Sequence, residues 1–583
     1  MKDKAIYIVS RMKVFFKPYF IKFLAVMIIG GLGAFCNILL PSQIEKISGI
    51  IESQIGHELN MNLLLRSGIT CGFIIIGMFI CNYVFGFGME VCSQRISADI
   101  RSAINTKINK ISMKQLDQMS AGDLIANMTT DVNTISIAIS QSLGLLFANA
   151  VILIGAIVAM LLKSVPLAIC VISFTVLGVV ISTLVSGRTI SMRDALRREQ
   201  ANINGMVDES LNGFMVIRAY NSEDDIIDTF RSTSERYMLN LKRSQFVTEE
   251  LTPIMTMLNN LTYVVVCIVG AYLMVSGSKT VTIGVMIAFL LYARMLANPL
   301  TFFASVINML ALTMVNCQKI INVLDMPENT DEGVDEISGE PGGVEFKDVR
   351  FGYTDDKEVI HGFNADIKPG MKVAIVGQTG AGKTTLVNLL MRFYETNSGQ
   401  ICIDGTNIKD IPRERLHQIL GMVMQENYLF NISIRDNIKY FAPDATEEEL
   451  QSVVEKCSLG HFIETLPKGI DTILSEELAV SSGQKQLISI ARTMIKKPKI
   501  LILDEATSSV DTRTELMIQK ALDELSKDRT SFVIAHRLST IRNADVIFVM
   551  QDGDIVETGN HEQLLAKNGI YTRIYNSQFE TAS

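Results

Sequence analysis

Residues 372–385 read KVAIVGQTGAGKTT and decide the fold of the C-terminal part of the chain. The apolar residues 373–376 predict a buried strand, and the GxxxxGKT pattern after them predicts a loop that opens a helix. Glycines let the backbone N–H groups of such a loop turn inward around phosphates, and the helix dipole favours anions there. We therefore predict a nucleotide site built from Gly377, Gln378, Thr379, Gly380, Ala381, Gly382, Lys383, Thr384 and Thr385.

A second motif, KILILDE at residues 499–505, predicts a buried strand that ends in two acids. Because it follows the glycine-rich loop by about 120 residues, we assign it to the same nucleotide site. Lys383 is expected to reach the β- and γ-phosphates, and Thr384 and Asp504 are expected to ligate Mg²⁺. Glu505 is placed to polarise an attacking water.

Weaker motifs surround these two in a definite order. Residues 480–484 read VSSGQ and open an amphipathic helix, where hydroxyl and N–H groups can meet a phosphate. Tyr353 is an aromatic side chain that can stack on a purine. The remaining motif residues come directly after predicted strands or after the acidic pair 504–505. They are Gln425, His536 and residues 508–511.

Apolar residues make up 48% of the 583 residues, and the mean hydropathy of +0.29 argues against a fully cytosolic enzyme. The long apolar runs lie almost entirely in residues 1–325. A spanning helix needs about 20 apolar residues, and six stretches satisfy this criterion. They are residues 20–40, 68–88, 143–162, 165–185, 255–276 and 283–310. Residues 326–343 carry six acids and no bases and have a linker composition, and a soluble α/β domain is expected over 344–583.

Basic residues set the expected orientation of these spans. They concentrate before the first span, after the second and after the fourth, whereas the loop after the first span is richer in glutamate. The N-terminus, the two long loops and the C-terminal domain are therefore predicted to be cytoplasmic. The basic, amphipathic N-terminal stretch predicts an interfacial helix. The net charge of −8 argues against nucleic acid as a partner.

Three features of the membrane region leave alternatives open. The long loops 89–140 and 187–253 predict either small subdomains or spanning helices that continue beyond the bilayer and turn there. Arg294, inside the sixth expected span, either snorkels or pairs structurally, or it lines a translocation path and favours anionic or polar groups. The 29 methionines either fill the core or provide an adaptable binding surface.

Taken in order, these motifs resemble those of ATP-binding-cassette (ABC) transporters. The C-terminal part resembles the family's nucleotide-binding domain, and the six-span part is similar to its exporter-type transmembrane domain. The resemblance implies a membrane all-α domain with six transmembrane helices and long cytoplasmic extensions, followed by an α/β P-loop ATPase domain. Residues 113–124 and 210–220 resemble the two coupling loops that join such domains.

The resemblance also implies cofactors, partners and residue roles. ATP and Mg²⁺ would bind between the phosphate-binding loop of one chain and the signature of a second half-transporter. Catalysis would use Glu505, His536 at the γ-phosphate and Gln425 as a sensor of Mg²⁺, while Tyr353 would stack on adenine. The remaining contacts would come from Ser481, Ser482, Gly483, Gln484 and Asp511. The expected activity is ATP-driven export of a drug, lipid or peptide by alternating access; import, or gating without transport, are the alternatives.

The signature departs from the family's usual Leu-Ser-Gly-Gly-Gln, because Val480 replaces the leucine and Ser482 the first glycine. Residues 502–515, 530–536 and 575–579 also look like the hydrolysis-competent subunit of bacterial heterodimeric multidrug exporters. A heterodimer with unequal ATP sites is therefore favoured, and a homodimer remains the alternative. The expected location is the plasma (inner) membrane of a bacterium.

Overall fold

The computed structural model of the protein describes residues 2–54, 60–277, 280–329, 333, 342–354, 356–425, 427–475, 480–504, 511–534 and 541–579. These residues divide into two compact units. The helical unit comprises residues 1–109 and 120–326, and the second unit comprises residues 110–119 and 327–583. Residues 110–119, the 110–119 segment, thus pack with the C-terminal unit although the chain places them between two long helices.

Long helices dominate the first part of the chain. In chain order the first ten are α1 (Lys2–Phe16), α2 (Phe20–Ser53), α3 (Met61–Ile108), α4 (Met113–Leu116), α5 (Ala121–Lys163), α6 (Val165–Asn212), α7 (Phe214–Tyr220), α8 (Glu223–Glu249), α9 (Leu251–Val275) and α10 (Ile283–Leu324). Two turns of α5, Asn127–Asp131 and Ala138–Leu143, are π-helical. α4 belongs to the second unit and the others to the helical unit.

Five helical stretches in the described residues are long and apolar enough to cross a membrane. They are Ile6–Ser53, Met61–Ile108, Ala121–Lys163, Val165–Val185 and Pro253–Val275. Each contains or overlaps one of the first five expected spans. The sixth expected span lies in α10, a continuous helix of 42 residues whose described apolar parts are the shorter Ile283–Leu296 and Met309–Leu324.

The two long loops form helical extensions of the spans. α3 and α6 each have 48 residues, which corresponds to about 72 Å of helix, whereas the bilayer core is about 30 Å thick. Both helices therefore continue well beyond the apolar part that a membrane covers. This agrees with the prediction of continuing helices and not with that of small separate subdomains.

Glycines let α2 approach its neighbours closely. A Cβ atom on Gly30 of α2 would lie 2.4 Å from the ring of Phe85 in α3. One on Gly155 of α5 would lie 2.3 Å from the side chain of Ile38 in α2. Small residues at helix crossings are typical of packing within membranes, where close backbone approach replaces the hydrophobic driving force. Close packing of α2 on α3 and α5 thus depends on positions that have no side chain.

Polar side chains fix other contacts in the helical unit. The ammonium of Lys163, the last residue of α5, forms an ion pair with Glu45 of α2. The hydroxyl of Tyr292 in α10, which is fully buried, donates to the carbonyl oxygen of Ile38 at 3.2 Å. A hydrogen bond satisfies a polar group that would otherwise be costly to bury. These two contacts join α2 to α5 and to α10.

α1 is bound to the end of α10. Its residues Ile8 and Met12 are buried. Arg11 forms an ion pair with Asp325, the residue that follows α10, and the hydroxyl of Tyr7 donates to the same carboxylate. The predicted amphipathic N-terminal helix is therefore present and is attached to the residue just before the linker.

Within its described residues the second unit contains two sheets. The six-stranded sheet has the order β10-β9-β3-β8-β7-β6, and the four-stranded sheet has the order β2-β1-β4-β5. The strands are β1 (Val344–Phe351), β2 (Ile360–Ile367), β3 (Lys372–Gly377), β4 (Ser398–Ile403), β5 (Thr406–Asn407), β6 (Leu420–Val423), β7 (Ile500–Asp504), β8 (Thr530–Ile534), β9 (Val546–Gln551) and β10 (Asp554–Gly559). The first strand begins at Val344, where the soluble domain is predicted to start.

The larger sheet determines where the chemistry can occur. β8 pairs in parallel with β3 on one side and with β7 on the other. The carboxyl ends of parallel strands lie at the same edge of a sheet, and ligands bind in the crevice outside that edge. The loop after β3 and the acid that ends β7 therefore share one edge, separated by the width of β8.

The helices of the second unit cover these sheets. After α4 they are α11 (Lys383–Leu390), α12 (Arg413–Ile419), α13 (Ile434–Ile438), α14 (Glu447–Lys456), α15 (Gly460–Glu464), α16 (Ser482–Ile495), α17 (Thr512–Ser526), α18 (His561–Lys567) and α19 (Ile570–Phe579). Buried residues of β1, β3, β7, β8 and α11 form one apolar cluster. A second cluster packs α13, α14, α16 and α17 together.

Candidate nucleotide site

The phosphate-binding loop, residues 377–384, joins β3 to α11. Gly380 and Gly382 have φ angles of +88° and +99°, in the left-handed region that side chains other than glycine rarely adopt. A Cβ atom on Gly377 would lie only 2.3 Å from the carbonyl oxygen of Met550. The backbone therefore requires glycine at all three positions, and the loop is a tight turn that brings its N–H groups to the start of a helix.

Lys383 is the first residue of α11 and is 7% exposed. Its ammonium donates to the carbonyl oxygens of Gly377 at 2.7 Å and Gln378 at 2.9 Å, so the side chain lies across the loop. Burial lowers the pKa of Lys383, and the nearby carboxylate of Asp504 opposes that shift. The ammonium is thus held by the two residues that begin the loop, where phosphates are expected.

The two threonines of α11 have different surroundings. Thr384 is exposed in the first turn, and its hydroxyl can ligate a metal. Thr385 is buried, and its hydroxyl lies 3.2 Å from the phenolic oxygen of Tyr353. Thr385, predicted among the nucleotide-binding residues, therefore connects α11 to the predicted purine-stacking side chain.

Three oxygen-bearing side chains are candidates for holding Mg²⁺. Thr384 begins α11, Asp504 ends β7 and is half-buried, and Gln425 follows β6 and is exposed. Hydroxyl, carboxylate and amide oxygens are the hard ligands that Mg²⁺ takes, usually together with water and substrate phosphates. Their oxygens would hold Mg²⁺ at the shared edge of the sheet, where the metal would supply positive charge next to the loop.

Tyr353 follows β1 and is 37% exposed. Its ring makes T-shaped contacts with Phe351 at 5.0 Å and with Tyr394 at 5.1 Å between ring centroids. Such contacts are favourable and define the relative orientations of the rings. A purine base could stack on the exposed part of the Tyr353 ring.

The signature segment, residues 480–484, forms the start of α16. Ser481 is its N-cap: the Ser481 hydroxyl accepts from the Gln484 N–H at 3.2 Å, and the Gln484 side chain accepts from the Ser481 N–H at 2.9 Å. Ser481 and Ser482 are exposed, and Gly483 is buried. The capping box therefore uses Gln484 locally and presents the two serines at a helix N-terminus.

Asp511 also acts as a helix cap in the structure. Its carboxylate accepts hydrogen bonds from the N–H groups of Arg513 at 3.1 Å and Thr514 at 3.0 Å, at the start of α17. The hydrogen bond from Thr514 is the main cause of a lowered pKa for Asp511. Of the other predicted residues, Glu505, His536 and 508–510 lie outside the described residues, as do residues 476–479 before the signature.

Sequence reasoning overlooked a buried arginine that supports the signature helix. Arg492 of α16 donates to the carbonyl and side-chain oxygens of Asn437 at 2.9 and 2.7 Å, and to the carbonyl oxygen of Tyr428 at 3.0 Å. Burial lowers the pKa of Arg492. The signal was present, because Arg492 is a charged residue on the apolar face of an amphipathic helix, but its partners lie more than 50 residues away in the chain.

Comparison with known proteins supplies relatives over most of the chain. Residues 23–300 match the family of ABC transporter transmembrane regions, and residues 360–508 match the ABC transporter family. A fatty acid ABC transporter ATP-binding/permease protein of Mycobacterium bovis is 36% identical over 83% of this chain and 76% of its own length. An ATP-dependent lipid A-core flippase of Syntrophus aciditrophicus is 35% identical over 86% of this chain and 83% of its own. A Staphylococcus aureus protein assigned by name to multidrug export is 32% identical over 98% of this chain and 100% of its own.

Gly382, one of the two left-handed glycines of the phosphate-binding loop, allows a matched test. Gly382→Ala should weaken binding of a fluorescent ATP analogue at least tenfold, because a Cβ would strain the loop and lie 2.8 Å from Ile360. Gly370→Ala is the control, since Gly370 has a φ of +80° but no atom within 4 Å of its Cβ position. Both variants should lose about 1 kcal/mol of stability, and only Gly382→Ala should lose nucleotide binding. Equal binding by the two variants would contradict the assignment of the loop.

Proposed function

Because this chain belongs to the ABC transporter family and carries the transmembrane region and the ATPase in one polypeptide, we propose that it is one half of an exporter that works only as a pair. The chain is an ATP-driven exporter of the kind its relatives represent. One copy supplies one phosphate-binding loop and one signature segment. The proposal is that each ATP binds between the loop of one half and the signature of the other.

The observation that carries this proposal is the exposure of Ser481 and Ser482 at the start of α16. The capping box occupies the N–H groups of Ser481 and Gln484, and the other N–H groups of a first helical turn have no partner within the helix and favour an anion. The two serines lie on a surface of their own chain. A second half-transporter could bring its bound ATP to that surface. Contact through the γ-phosphate would then distinguish the closed pair from the open one.

We assign the residues of the loop side as follows. Tyr353 would stack on adenine, and Lys383 would bind the β- and γ-phosphates. Thr384, Asp504 and Gln425 would hold Mg²⁺, which supplies charge neutralisation at the phosphates. Glu505 would polarise the attacking water and His536 would contact the γ-phosphate. The shared edge of β3, β8 and β7 supports this assignment, because Glu505 follows β7 directly and His536 comes two residues after β8.

Replacing Glu505, the expected general base, should separate ATP binding from ATP hydrolysis. Glu505→Gln should keep ATP binding and remove most ATP hydrolysis, since an amide is nearly isosteric with the carboxylate but is a far weaker base. The ATP-bound, closed pair should accumulate. Rates of phosphate release and retention of radiolabelled ATP measure the two effects. Hydrolysis by this variant near the wild-type rate would show that Glu505 has another role.

The second half is, in our proposal, a different chain. The loop side of this chain keeps every expected group, including Lys383, Thr384 and Asp504, whereas its signature is altered at Val480 and Ser482. In a homodimer every ATP would face the altered signature. In a heterodimer the loop of this chain can meet an unaltered signature and hydrolyse, while the altered signature faces a site that needs only to bind ATP.

Expression of the chain alone tests this choice. The purified chain should show little ATPase activity, and a co-expressed second half-transporter should restore it. In that pair, Ser482→Ala should cost far less activity than Glu505→Gln, because the two residues would serve different sites. Robust and cooperative ATPase activity with transport from the lone chain would establish the homodimer instead.

For the substrate we propose an anionic amphiphile that meets Arg294. This residue is eleven positions after the start of α10, about 16 Å along the helix and near the middle of a bilayer core. Its neighbours Tyr292 and Leu296 are buried, whereas Arg294 is exposed and has no ion-pair partner within the described part of the chain. A charge at that depth is costly in lipid, so we infer that its face belongs to a wet path.

Relatives support this chemistry, because those compared above include proteins named for a fatty acid and for lipid A, both of which join anionic groups to acyl chains. The second half would enclose the path, and a carboxylate or phosphate headgroup would pair with the guanidinium. We place the pair in the plasma membrane of a bacterium, with the ATPase units in the cytoplasm that supplies ATP. The distribution of basic residues along the chain supports this orientation.

A charge-matched pair of lipids tests the role of Arg294. In inside-out vesicles, oleate should be transported or should stimulate ATPase activity more strongly than oleyl alcohol. Arg294→Ala should lower the apparent affinity for oleate about tenfold, which is the value of one charge-assisted contact, and Arg294→Lys should retain most of it. The control is Arg231→Ala, which removes an exposed arginine from α8. Equal responses to the acid and the alcohol would contradict an anionic substrate.

A further inference from the structure

Tyr394 lies between the purine-stacking residue and the 110–119 segment. On one side its ring makes a T-shaped contact with Tyr353, at 5.1 Å between centroids and 88° between the planes. On the other side its hydroxyl donates to the carboxylate of Asp117 in the 110–119 segment. Burial and the bond to Asp117 both raise the pKa of Tyr394, so the phenol keeps its proton and remains a donor. The side chain of Tyr394 therefore contacts both the purine-stacking residue and the 110–119 segment.

We propose that Tyr394 is a positioning residue that transmits the occupancy of the purine site to the 110–119 segment. The inference rests on the proposed function, because it takes Tyr353 as the surface on which adenine stacks. It adds a specific pair of groups, the phenol of Tyr394 and the carboxylate of Asp117, through which binding in the ATPase unit reaches the chain that leads into the membrane helices.

The loop that carries Tyr394 is held rigidly. Arg392 adopts a left-handed φ of +56°, which is uncommon for a residue with a side chain. Its guanidinium donates to Glu395 at 3.0 Å and to the carbonyl oxygen of Ile411 at 2.9 Å. Arg413 donates to the same Glu395 carboxylate at 2.6 Å. These bonds fix the backbone on both sides of Tyr394, so its ring can respond to Tyr353 without the loop being displaced.

The purine-stacking ring is also tied to the phosphate-binding loop. The hydroxyl of Tyr353 lies 3.2 Å from that of Thr385, two residues after Lys383 in α11. Phe351 contacts both tyrosine rings: its ring centroid lies 5.0 Å from that of Tyr353 and 5.7 Å from that of Tyr394. The three rings pack edge-to-face as one cluster, and such packing favours defined relative orientations. A base stacked on Tyr353 would fix the orientation of the cluster and with it the phenol of Tyr394.

The receiving segment is anchored near both of its ends. At its start the carbonyl oxygen of Lys110 accepts from the N–H of Asn329 at 2.8 Å, and Ile111 forms a bridge with Glu328. Near its end the carboxylate of Asp117 accepts from Tyr394. Only the short helix α4 lies between these anchors, and the chain continues directly into α3 on one side and α5 on the other. A change at Asp117 is therefore passed to two membrane helices by covalent connection.

Nucleotide binding and the order of the 110–119 segment must be thermodynamically linked if Tyr394 couples them. If base stacking favours one arrangement of the Tyr394–Asp117 pair, then the 110–119 segment must be more ordered when nucleotide is bound, and an ordered segment must favour nucleotide in return. Removing the hydroxyl should remove this coupling without removing the stacking surface. A role confined to local stability would instead alter nucleotide binding and segment order together, whether or not a purine is present.

Amide hydrogen exchange on the full-length protein, in nanodiscs and together with its second half where one is required, tests the proposal. In the wild type, AMP-PNP with Mg²⁺ should slow exchange in residues 110–119 about fivefold, the value of one hydrogen bond of about 1 kcal/mol. Tripolyphosphate, which can occupy the loop but has no purine, should not slow it. Tyr394→Phe should still bind AMP-PNP, at most about fivefold more weakly than the wild type because the coupling is reciprocal, and should lose the protection.

Variants of Asp117 test whether its hydrogen bond with Tyr394 carries the coupling. Asp117→Ala should behave like Tyr394→Phe, and the double variant should be no worse than either, because both remove the same bond. Asp117→Asn should retain the protection, since the amide oxygen still accepts. The control is Tyr440→Phe, which removes a hydroxyl from a ring stacked on Phe430 in the same unit.

The outcomes distinguish the two levels of the argument. If AMP-PNP does not bind at all, the proposed function fails. If it binds and residues 110–119 show no change in the wild type, or if Tyr394→Phe keeps the full protection, the role of Tyr394 is wrong while the nucleotide site stands. Equal protection by tripolyphosphate would also overturn the inference, because it would show that the segment responds to phosphates without a stacked purine.

Discussion

The parallel pairing of β3, β8 and β7 is the constraint on which the ATPase unit depends. It brings a tight glycine loop, the start of α11 and the acid at the end of β7 to one edge of a buried sheet, although more than 120 residues of chain separate them. Consecutive residues of these strands are buried, so both faces of the sheet are covered and a shift in register would disrupt the packing on both. The hydrophobic core thus sets the spacing of the polar groups at this edge of the sheet.

The helical unit follows a different rule, because long apolar helices gain little from burying side chains against one another in lipid. Close approach at Gly30 and Gly155 and a few polar contacts, such as the Lys163–Glu45 pair, define its packing instead. The same helices extend beyond the apolar region and lead into the 110–119 segment. Rigid helices of this length can carry a local change at their ends over a long distance, which suits a protein that must connect ATP hydrolysis to a path through the membrane.

Much of this architecture could be predicted from the sequence, and the limits have physical causes. The loop at 377–384 and the long apolar helices are local patterns, in which periodicity or positive φ angles constrain residue types directly. Arg492 and Tyr394 escaped prediction because their roles arise from partners distant in the chain, namely Asn437 and Asp117. Likewise, the order of motifs singled out Gln484 and Asp511 as ligands, whereas their helix-capping bonds became visible only with the backbone in place.

The attachment of α1 to Asp325 has a mechanical consequence. Two side chains of one helix, Tyr7 and Arg11, hold a single carboxylate at the end of α10. Such a contact acts as a pivot: α10 can tilt or rotate about it, but sliding along its own axis would break both bonds at once. Relative to α1, the two bonds therefore oppose axial sliding of α10 more strongly than they oppose tilting.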